Sequence, residues 1–465
     1  MKKIYILKII IFILIILIPV FSFNFKSNQV STIDNRMLSE ASDILSEGDV
    51  TNNIESYIND RIGFRTEMVN LYINGMDTLF DEMVHPIYQY GKDGYIFSKV
   101  STMTLNKEFN EVYSDFIADF QKYCNDRDID FLYAVEPSKA TIYTEYLPAG
   151  YTYNTNSLDY FISLLKEKNV NFVNNAEVLL EAKEDTQVFD PMFDAGHWNE
   201  TGAIIGISAI LDRLNMLDTR VGEFNIDNFE AKEYVNTTLP SSYFPINETT
   251  TKYSLIEDNS DYIEDYEEEI IRSEDFPGYS HYKNNKKTDG PRILVFSGSY
   301  FNNKEKFFTE NFSEVMKIHN YYNVINYDYY INIFNPDIVL FESTEYTHTN
   351  HYFPVDGMIN TIHNNYIKNY ENLNEDDFVL MDNTVFTISD SNLTNFSIPF
   401  NGEDVLYAYA NIGNRILDGK IVRNGDKSYI EFSIMTSEIR GLKNFDLYFI
   451  SNDEERYDMI SCSIK

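Results

Sequence analysis

From residue 106 onward the chain repeats one pattern, a helix-period stretch followed by a short apolar run. Phe109, Val112, Tyr113, Phe116, Phe120 and Tyr123 recur at the spacing that gathers side chains on one face of a helix. The apolar run Phe131-Leu132-Tyr133-Ala134-Val135 follows and is closed by Pro137. A helix over 158–167, a strand over 170–173 and helices over 176–182 and 201–214 continue the alternation, and apolar runs at 293–297, 315–318 and 337–341 extend it. Strands that are apolar on both faces need helices on both sides, so the pattern predicts an α/β fold with a parallel sheet flanked by helices. In such sheets reactive groups gather at the carboxyl ends of the strands, where Ser138, Lys139, the stretch 194–197 and Ser299 are all expected.

The two ends of the chain differ from this middle. Lys2 and Lys3 precede an apolar run from Ile4 to Phe23 that only Lys8 interrupts. That is about one bilayer span, and the lysines at its head put the N-terminus inside and the rest outside. A cleaved signal peptide is the rival reading. No small-x-small cleavage site stands near Phe21-Ser22-Phe23-Asn24-Phe25, which favours a retained, single-pass transmembrane helix over 1–25 with the catalytic part extracellular. Residues 26–85 read as a polar stalk followed by a helix over 54–72 that Asp60-Arg61-Ile62-Gly63-Phe64-Arg65 interrupts; the plainer account of that interruption is a solvated, kinked surface. The α/β domain is assigned to 86–384, opening with a strand–turn–strand over 87–97 and holding an irregular or β-rich insertion at 222–290 over the sheet edge. Beyond it, short alternating runs at 386–388, 405–409, 420–422, 429–432 and 446–449 predict an all-β, sandwich-like module over 385–465, a candidate for carbohydrate binding.

Setting aside Lys2, Lys3 and Lys8 leaves 34 basic residues against 73 acidic ones outside the membrane. So large an acidic excess excludes nucleic acid and anionic lipid headgroups as electrostatic partners and serves solubility. Two cysteines, Cys124 and Cys462, are too few for a disulfide scaffold, although one pairing stays open.

Chemistry is concentrated in two stretches, Phe193-Asp194-Ala195-Gly196-His197-Trp198-Asn199 and Ile293-Leu294-Val295-Phe296-Ser297-Gly298-Ser299-Tyr300-Phe301. A serine hydroxyl is a poor nucleophile until a base takes its proton, so Ser299 after an apolar strand calls for an imidazole, and His197 is the candidate. Asp194, three residues earlier in the same loop, can fold back to orient the ring, with Asp190 in reserve. The Ser299 N–H at the Gly298 turn is a natural oxyanion donor. Ser297 points to the other side of the strand. Trp198 and Tyr300 flank the pair and are substrate-contact candidates, as is Lys139; for Trp198 a packing role behind the histidine, and for Lys139 simple exposure, are the plainer accounts. Glu342-x-x-Glu345-x-x-His348-x-x-His351 has a metal-like recurrence, but in a loop after a strand that spacing defines no common face, so no metal is assigned.

An Asp-x-x-His stretch together with a strand-borne Gly-Ser turn resembles the SGNH hydrolase superfamily. The order, with acid and histidine before the serine, is that of its cell-surface branch typified by the alginate O-acetylation proteins AlgJ and AlgX and by "DHHW" relatives. Further matching stretches are Asp34-Asn35-Arg36, Asp60-Arg61-x-Gly63-Phe64-Arg65, Tyr90-Gly91-Lys92-Asp93-Gly94-Tyr95-Ile96-Phe97, Pro137-Ser138-Lys139 through Tyr143 to Pro148, His197-Trp198-Asn199 to Gly202-Ala203, and Phe341-Glu342 with Glu345. The branch usually places its acid two residues before the histidine, where this chain has Ala195, and writes Gly-Asp-Ser or Gly-Thr-Ser where this chain has Ser297-Gly298-Ser299. The resemblance spans roughly residues 30–350 and implies a Ser299-His197-Asp194 triad, no cofactor, and transfer or removal of acetyl groups on a surface polysaccharide. It also implies an acyl donor supplied beside a membrane-bound O-acyltransferase. A non-catalytic glycan-binding scaffold is the alternative from a different class.

Overall fold

The computed structural model describes residues 2–27, 29–31, 36–45, 49–80, 82–85, 87–99, 105–240, 244–264, 266–361, 379–380, 384–386, 391–400, 405–413, 415–424, 427–451 and 457–464. Asp34 and Asn35 of the Asp34-Asn35-Arg36 match, Thr387 and Ile388 of the strand expected at 386–388, and the turn residues Gly425 and Asp426 lie outside the described residues.

The chain opens with the apolar helix α1 (Lys2–Phe21). A two-residue pairing of β1 (Val30–Ser31) with β2 (Arg36–Met37) follows, then helices α2 (Val50–Arg61) and α3 (Arg65–Phe80) and the hairpin β3 (Tyr88–Tyr90) with β4 (Ile96–Ser98). The single helix expected over 54–72 is thus two, broken where Phe64 takes φ 59. Gly63 stands at the break because a Cβ there would lie 2.3 Å from the Ser22 carbonyl oxygen. The charged pair at the break is not solvated. Arg61 is buried and donates to the carbonyls of Lys26 and Ser39 and to Glu40, while Asp60 accepts from Ser39 N–H (2.9 Å) and Oγ–H (3.0 Å). The polar segment after α1 therefore wraps this pair instead of standing off as a stalk.

The central layer is a seven-stranded sheet in the order β6-β5-β13-β11-β12-β10-β9. Its strands are β5 (Asp130–Glu136), β6 (Phe172–Asn174), β9 (Ser260–Tyr262), β10 (Tyr279–Asn284), β11 (Arg292–Ser297), β12 (Glu314–His319) and β13 (Ile338–Thr344). The first five in spatial order run parallel, as the alternation predicts. Period two divides each strand between two cores. Phe131, Tyr133, Leu294, Phe296, Val339 and Phe341 face one, which α4 (Lys107–Asn125) and α6 (Asn156–Glu167) cover. Leu132, Ala134, Ile293, Val295, Ile338 and Leu340 face the other, under α8 (Glu200–Leu217). The short helices α5 (Lys139–Ile142) and α7 (Asn175–Ala182) join this second side, and α9 (Tyr327–Phe334) and α10 (Val355–Asn360) the first.

The insertion does two things. Its first half is a long two-stranded hairpin, β7 (Phe229–Thr238) with β8 (Pro245–Leu255), and its second half adds β9 and β10 antiparallel to the sheet edge at β12. The C-terminal module holds β14 (Val379–Leu380), β15 (Thr384–Phe386), β16 (Leu393–Phe400), β17 (Val405–Ile412), β18 (Arg415–Asn424), β19 (Lys427–Met435), β20 (Asn444–Ser451) and β21 (Tyr457–Ile464). It is antiparallel apart from β14 and β15, which pair with β21 in parallel. β18 pairs with β17 through Gly419 and with β19 from Lys420, so one strand carries the sheet around a corner. A Cβ on Gly419 would lie 2.5 Å from Ile430 Cγ2. The module is fastened to the α/β domain by Asp418, buried, whose carboxylate accepts from Arg127 (2.7 Å to each oxygen) and from the hydroxyls of Tyr123 and Tyr407.

Candidate active site

Strand β11 ends in mid-sheet at Ser297, and the chain turns through Gly298 into a 3-10 turn over Ser299–Phe301. Both neighbouring strands brace that turn. Gly298 N–H donates to Glu342 Oε2 (2.7 Å), Asn320 N–H to the Ser297 carbonyl (3.1 Å), and the Asn320 amide to the Glu342 carbonyl (2.6 Å). Gly298 has φ −84, so the turn needs no left-handed residue. A Cβ there would lie 3.4 Å from Tyr321 Oη, an ordinary contact distance. Ser297 is buried and faces the sheet interior, away from the pocket.

The acid and imidazole come from the loop that leads into α8. Asn199 caps that helix through its Oδ1, which accepts Gly202 N–H at 2.8 Å, while its amide donates to the Gln187 carbonyl (2.9 Å) and to Asp190 Oδ1 (3.0 Å). The cap is pressed close, because a Cβ on Gly202 would lie 2.2 Å from the Val188 oxygen. Asp194 adopts φ 50, a left-handed conformation that Asp tolerates, and this folds its carboxylate back over the loop. Asp194 Oδ1 accepts from Gly196 N–H (3.3 Å) and stands 2.7 Å from His197 Nδ1, and His197 Nε2 stands 2.8 Å from Ser299 Oγ. A proton on Nδ1 serves Asp194 and leaves Nε2 free to accept the serine hydroxyl. Burial by itself would raise the Asp194 carboxyl. The hydrogen bond and charge of His197 and the amides of Gly196 and His197 outweigh it and hold that carboxyl below the usual range. His197 and Asp194 keep 32% and 35% of their side-chain surface open, so the line is reachable from solvent.

The opening is a pocket of about 450 Å³ whose walls include Phe193, Thr251, Lys252, Asn302, Asn303 and Lys304. The hairpin supplies one wall and ties it to the reactive loops. Glu248 on β8 accepts Met192 N–H (2.9 Å) and Phe193 N–H, just before Asp194. Glu200 at the start of α8 accepts Tyr253 N–H (2.6 Å) and the ammonium groups of Lys306 (2.9 Å) and Lys304 (3.5 Å). A second cleft of about 390 Å³ lies between α9 and strands β16, β18 and β19 and contains none of these residues.

Of the three residues expected to touch substrate, Trp198 and Tyr300 border the pocket although both are buried, and Lys139 does not. Lys139 is neither exposed nor in the pocket. Its ammonium is buried and saturated by the carbonyls of Ile96 (2.8 Å), Asp190 (2.6 Å) and Pro191 (2.9 Å), and burial pushes it down to about 7 against the pull of Glu248, Asp190 and Asp194. Trp198 is buried and donates Nε1–H to the Tyr300 carbonyl (3.0 Å), joining the histidine loop to the serine turn as a packing residue. Tyr300 is buried too. Its ring packs against His197 at 5.2 Å between centroids, and its hydroxyl donates to the Pro137 carbonyl at 2.7 Å. Asp190 turns its carboxyl to Asn199, not to His197, and burial raises it to about 6.

Glu342, noted in the sequence only within a metal-like repeat and a family match, takes a different part here, and Glu136, Tyr346 and Glu248 enter without a sequence signal. Burial raises Glu342 to about 8 and Glu136, at the end of β5, well above its ordinary value; the Glu342 carboxyl adds to the rise at Glu136. Tyr346 faces Ser299: burial raises its hydroxyl and a hydrogen bond with Ser299 tempers the rise. Glu248 has no local signal, since Asn247-Glu248-Thr249 reads as any polar strand. The four residues of the metal-like repeat go to separate partners. Glu342 serves Gly298, Glu345 accepts Ser138 N–H (2.8 Å) and the Tyr153 hydroxyl (2.9 Å), His348 is buried against Ser343 (2.9 Å), where burial lowers it to about 3, and His351 is exposed.

Residues 89–273 match the family model described as "SGNH hydrolase-like domain, acetyltransferase AlgX". No curated protein sequence matches the chain. Among solved structures, PatB1 of Bacillus cereus is 17% identical, with 57% of this chain and 97% of that one covered at a TM-score of 0.45. The O-acetyltransferase domain of Pseudomonas putida AlgJ is 16% identical over 60% of this chain and 100% of that one, TM-score 0.42. Pseudomonas aeruginosa AlgX is 12% identical over 80% and 90%, TM-score 0.39. The matched stretch carries the acid–histidine loop and ends before the serine turn, and over it the α/β part of this chain, with its parallel sheet, is similar to an SGNH hydrolase-like domain of the AlgX acetyltransferase type.

Proposed function

We propose that this chain is an O-acetyltransferase of a cell-surface or extracellular polysaccharide, working through Ser299, His197 and Asp194. One observation carries the reading: the unbroken line from Asp194 Oδ1 through both nitrogens of His197 to Ser299 Oγ, with 2.7 and 2.8 Å steps. The family match supports acetyl as the group transferred. Ser299 Oγ attacks the acyl carbonyl while His197 Nε2 takes its proton, and Asp194 steadies the resulting imidazolium. The Ser299 N–H, in the first turn of its 3-10 helix and so without an intrahelical partner, faces the oxyanion. The imidazolium returns the proton to the leaving group, and an acyl-serine remains. A glycan hydroxyl then attacks the acyl-serine, His197 accepting its proton, and the restored serine closes the cycle. The organisation that goes with this reading is an anchor over 1–25, a tethered segment over 26–85, the catalytic domain over 86–384 and a glycan-facing module over 385–465. The acyl group reaches the site from a membrane-bound O-acyltransferase.

The test is acetyl release from an activated aryl acetate by the full chain beside Ser299→Ala, with and without candidate oligosaccharides. Release that vanishes in the variant and acetylated sugar in the products are expected. Release into water alone would make the protein an acetylesterase with the same triad, and equal rates in both proteins would reject the serine mechanism in favour of a binding scaffold.

A further inference from the structure

Helix α3 is apolar on two faces, and among the described residues only one is covered. Ile73, with Val69, packs into a small core that contains Tyr88, Ile96, Met192 and Ala195. On another face stand Met68, Leu71, Tyr72 and Leu79, at helical offsets of 3, 4 and 11 from the first, with Phe64 just before the helix at the break. All five are exposed, Leu71 and Leu79 by 75% each. Asn70, Asn74 and Asp77 make up a third, polar side. Scattered surface leucines are ordinary, but an apolar stripe running the length of a helix marks a contact surface.

The position of the stripe points to what covers it. Gly63 N–H donates to the Pro19 carbonyl of α1 (2.9 Å), and Asn24 N–H donates to the Arg61 carbonyl (2.7 Å). The buried Arg61 guanidinium locks the same junction. The stripe therefore begins where α1 ends, and α1 is apolar and unburied over Ile4–Phe21. Exposed Phe21 and Phe25 continue the apolar surface from one helix to the other.

We propose that α3 is an interfacial helix whose Phe64–Leu79 stripe lies in the headgroup boundary of the membrane that α1 spans, seating the Ser299 site against the bilayer. This rests on the reading of α1 as an anchor. The inner face of α3 shares its core with Met192 and Ala195, which belong to the loop carrying Asp194 and His197. About one helix diameter, roughly 10–12 Å, thus separates that loop from the lipid. A site so placed meets an acyl group as it emerges from the membrane. Within α3 a single Arg65 stands against Glu67 and Asp77, so the seat is held by apolar contact and needs no anionic lipid.

The experiment uses the full chain reconstituted in phosphatidylcholine vesicles, with a fluorescent label on a single introduced cysteine: Leu71→Cys, Leu79→Cys, Asn74→Cys on the polar side, or Ile11→Cys within α1. Cys124 and Cys462 are buried and react slowly with the label. Brominated acyl chains are expected to quench the labels at 71, 79 and 11 at least twofold more than the label at 74. Labels at 71 and 79 as unquenched as the one at 74 would overturn the proposal whatever position 11 reports, and a protein would then be the occupant. Quenching at 71 and 79 but not at 11 would overturn the anchor and uphold the interfacial helix.

Discussion

Replacing Glu248 with alanine removes both acceptors that hold the loop in front of Asp194. The carboxylate sits 8% exposed and takes the N–H groups of Met192 and Phe193. Hydrogen bonds to a charged group are worth roughly 1.5–3 kcal/mol each, so the clamp is worth about 3–6 kcal/mol before relaxation. Against it stands the left-handed conformation of Asp194, which costs on the order of 1 kcal/mol and is lost once the loop can relax. If water recovers half of the lost bonding, the productive loop is weakened by about 1.5–3 kcal/mol, and at about 1.4 kcal/mol per decade kcat falls roughly 10–150-fold. KM for a small aryl acetate should stay within about twofold, because Glu248 touches no part of the acyl group. Glu248→Gln keeps one acceptor oxygen and should recover most of the rate. Steady-state hydrolysis of the aryl acetate at matched folded fractions is the assay. Wild-type kcat in Glu248→Ala would show that the loop holds Asp194 without the hairpin and would refute this account of the insertion.

Asp194→Asn should leave the fold intact and lower kcat by about three to four decades, because the amide cannot stabilise the imidazolium; a loss under tenfold would remove Asp194 from the mechanism. Asp418→Ala strands the Arg127 guanidinium and two tyrosine hydroxyls at the junction of the β module and the α/β domain, and should cost about 3–5 kcal/mol in urea unfolding; a cost below about 1 kcal/mol would show that apolar packing alone joins the two. Gly202→Ala, whose Cβ would meet the Val188 oxygen, should shift the start of α8 and cut activity more than stability, read as kcat against thermal midpoint. Glu342 is raised from 4.5 to about 8, so the native state keeps a proton that the unfolded chain releases, and stability should fall as pH rises from 4.5 to 8 by up to about 1.4 kcal/mol per unit. Glu342→Gln should flatten that slope in urea midpoints; an unchanged slope would assign it to other groups.

Much of the architecture was legible because it is written locally. The α4 stripe, the β5 and β11 runs and the order of acid, histidine and serine follow from periodicity and chain position alone. β16 carries no plain strand signal because Pro399 breaks the run Leu393–Phe400, yet β16 lies at the end of the sheet, the position where strands tolerate proline. The break between α2 and α3 was visible, but its burial was not, because only the chain returning from α1 covers Arg61. Lys139 looked like a surface lysine for the same reason: the three carbonyls that saturate it come from β4 and the 190–191 loop, distant in sequence.

By itself the sequence determined what depends on neighbours a few residues away: the helix and strand periods, the apolar N-terminal run, and the presence of a serine turn and an Asp-x-x-His loop. Only the tertiary structure decided which groups meet. It brought residues 194, 197 and 299 into one hydrogen-bonded line, assigned Glu248 and Glu342 to brace the loops on either side, and turned Lys139, Trp198 and Tyr300 inward as supports. The physical reason is range: periodicity is a property of adjacent turns and pleats, whereas a buried charge or a reactive line is satisfied by partners that the chain delivers from a hundred residues away.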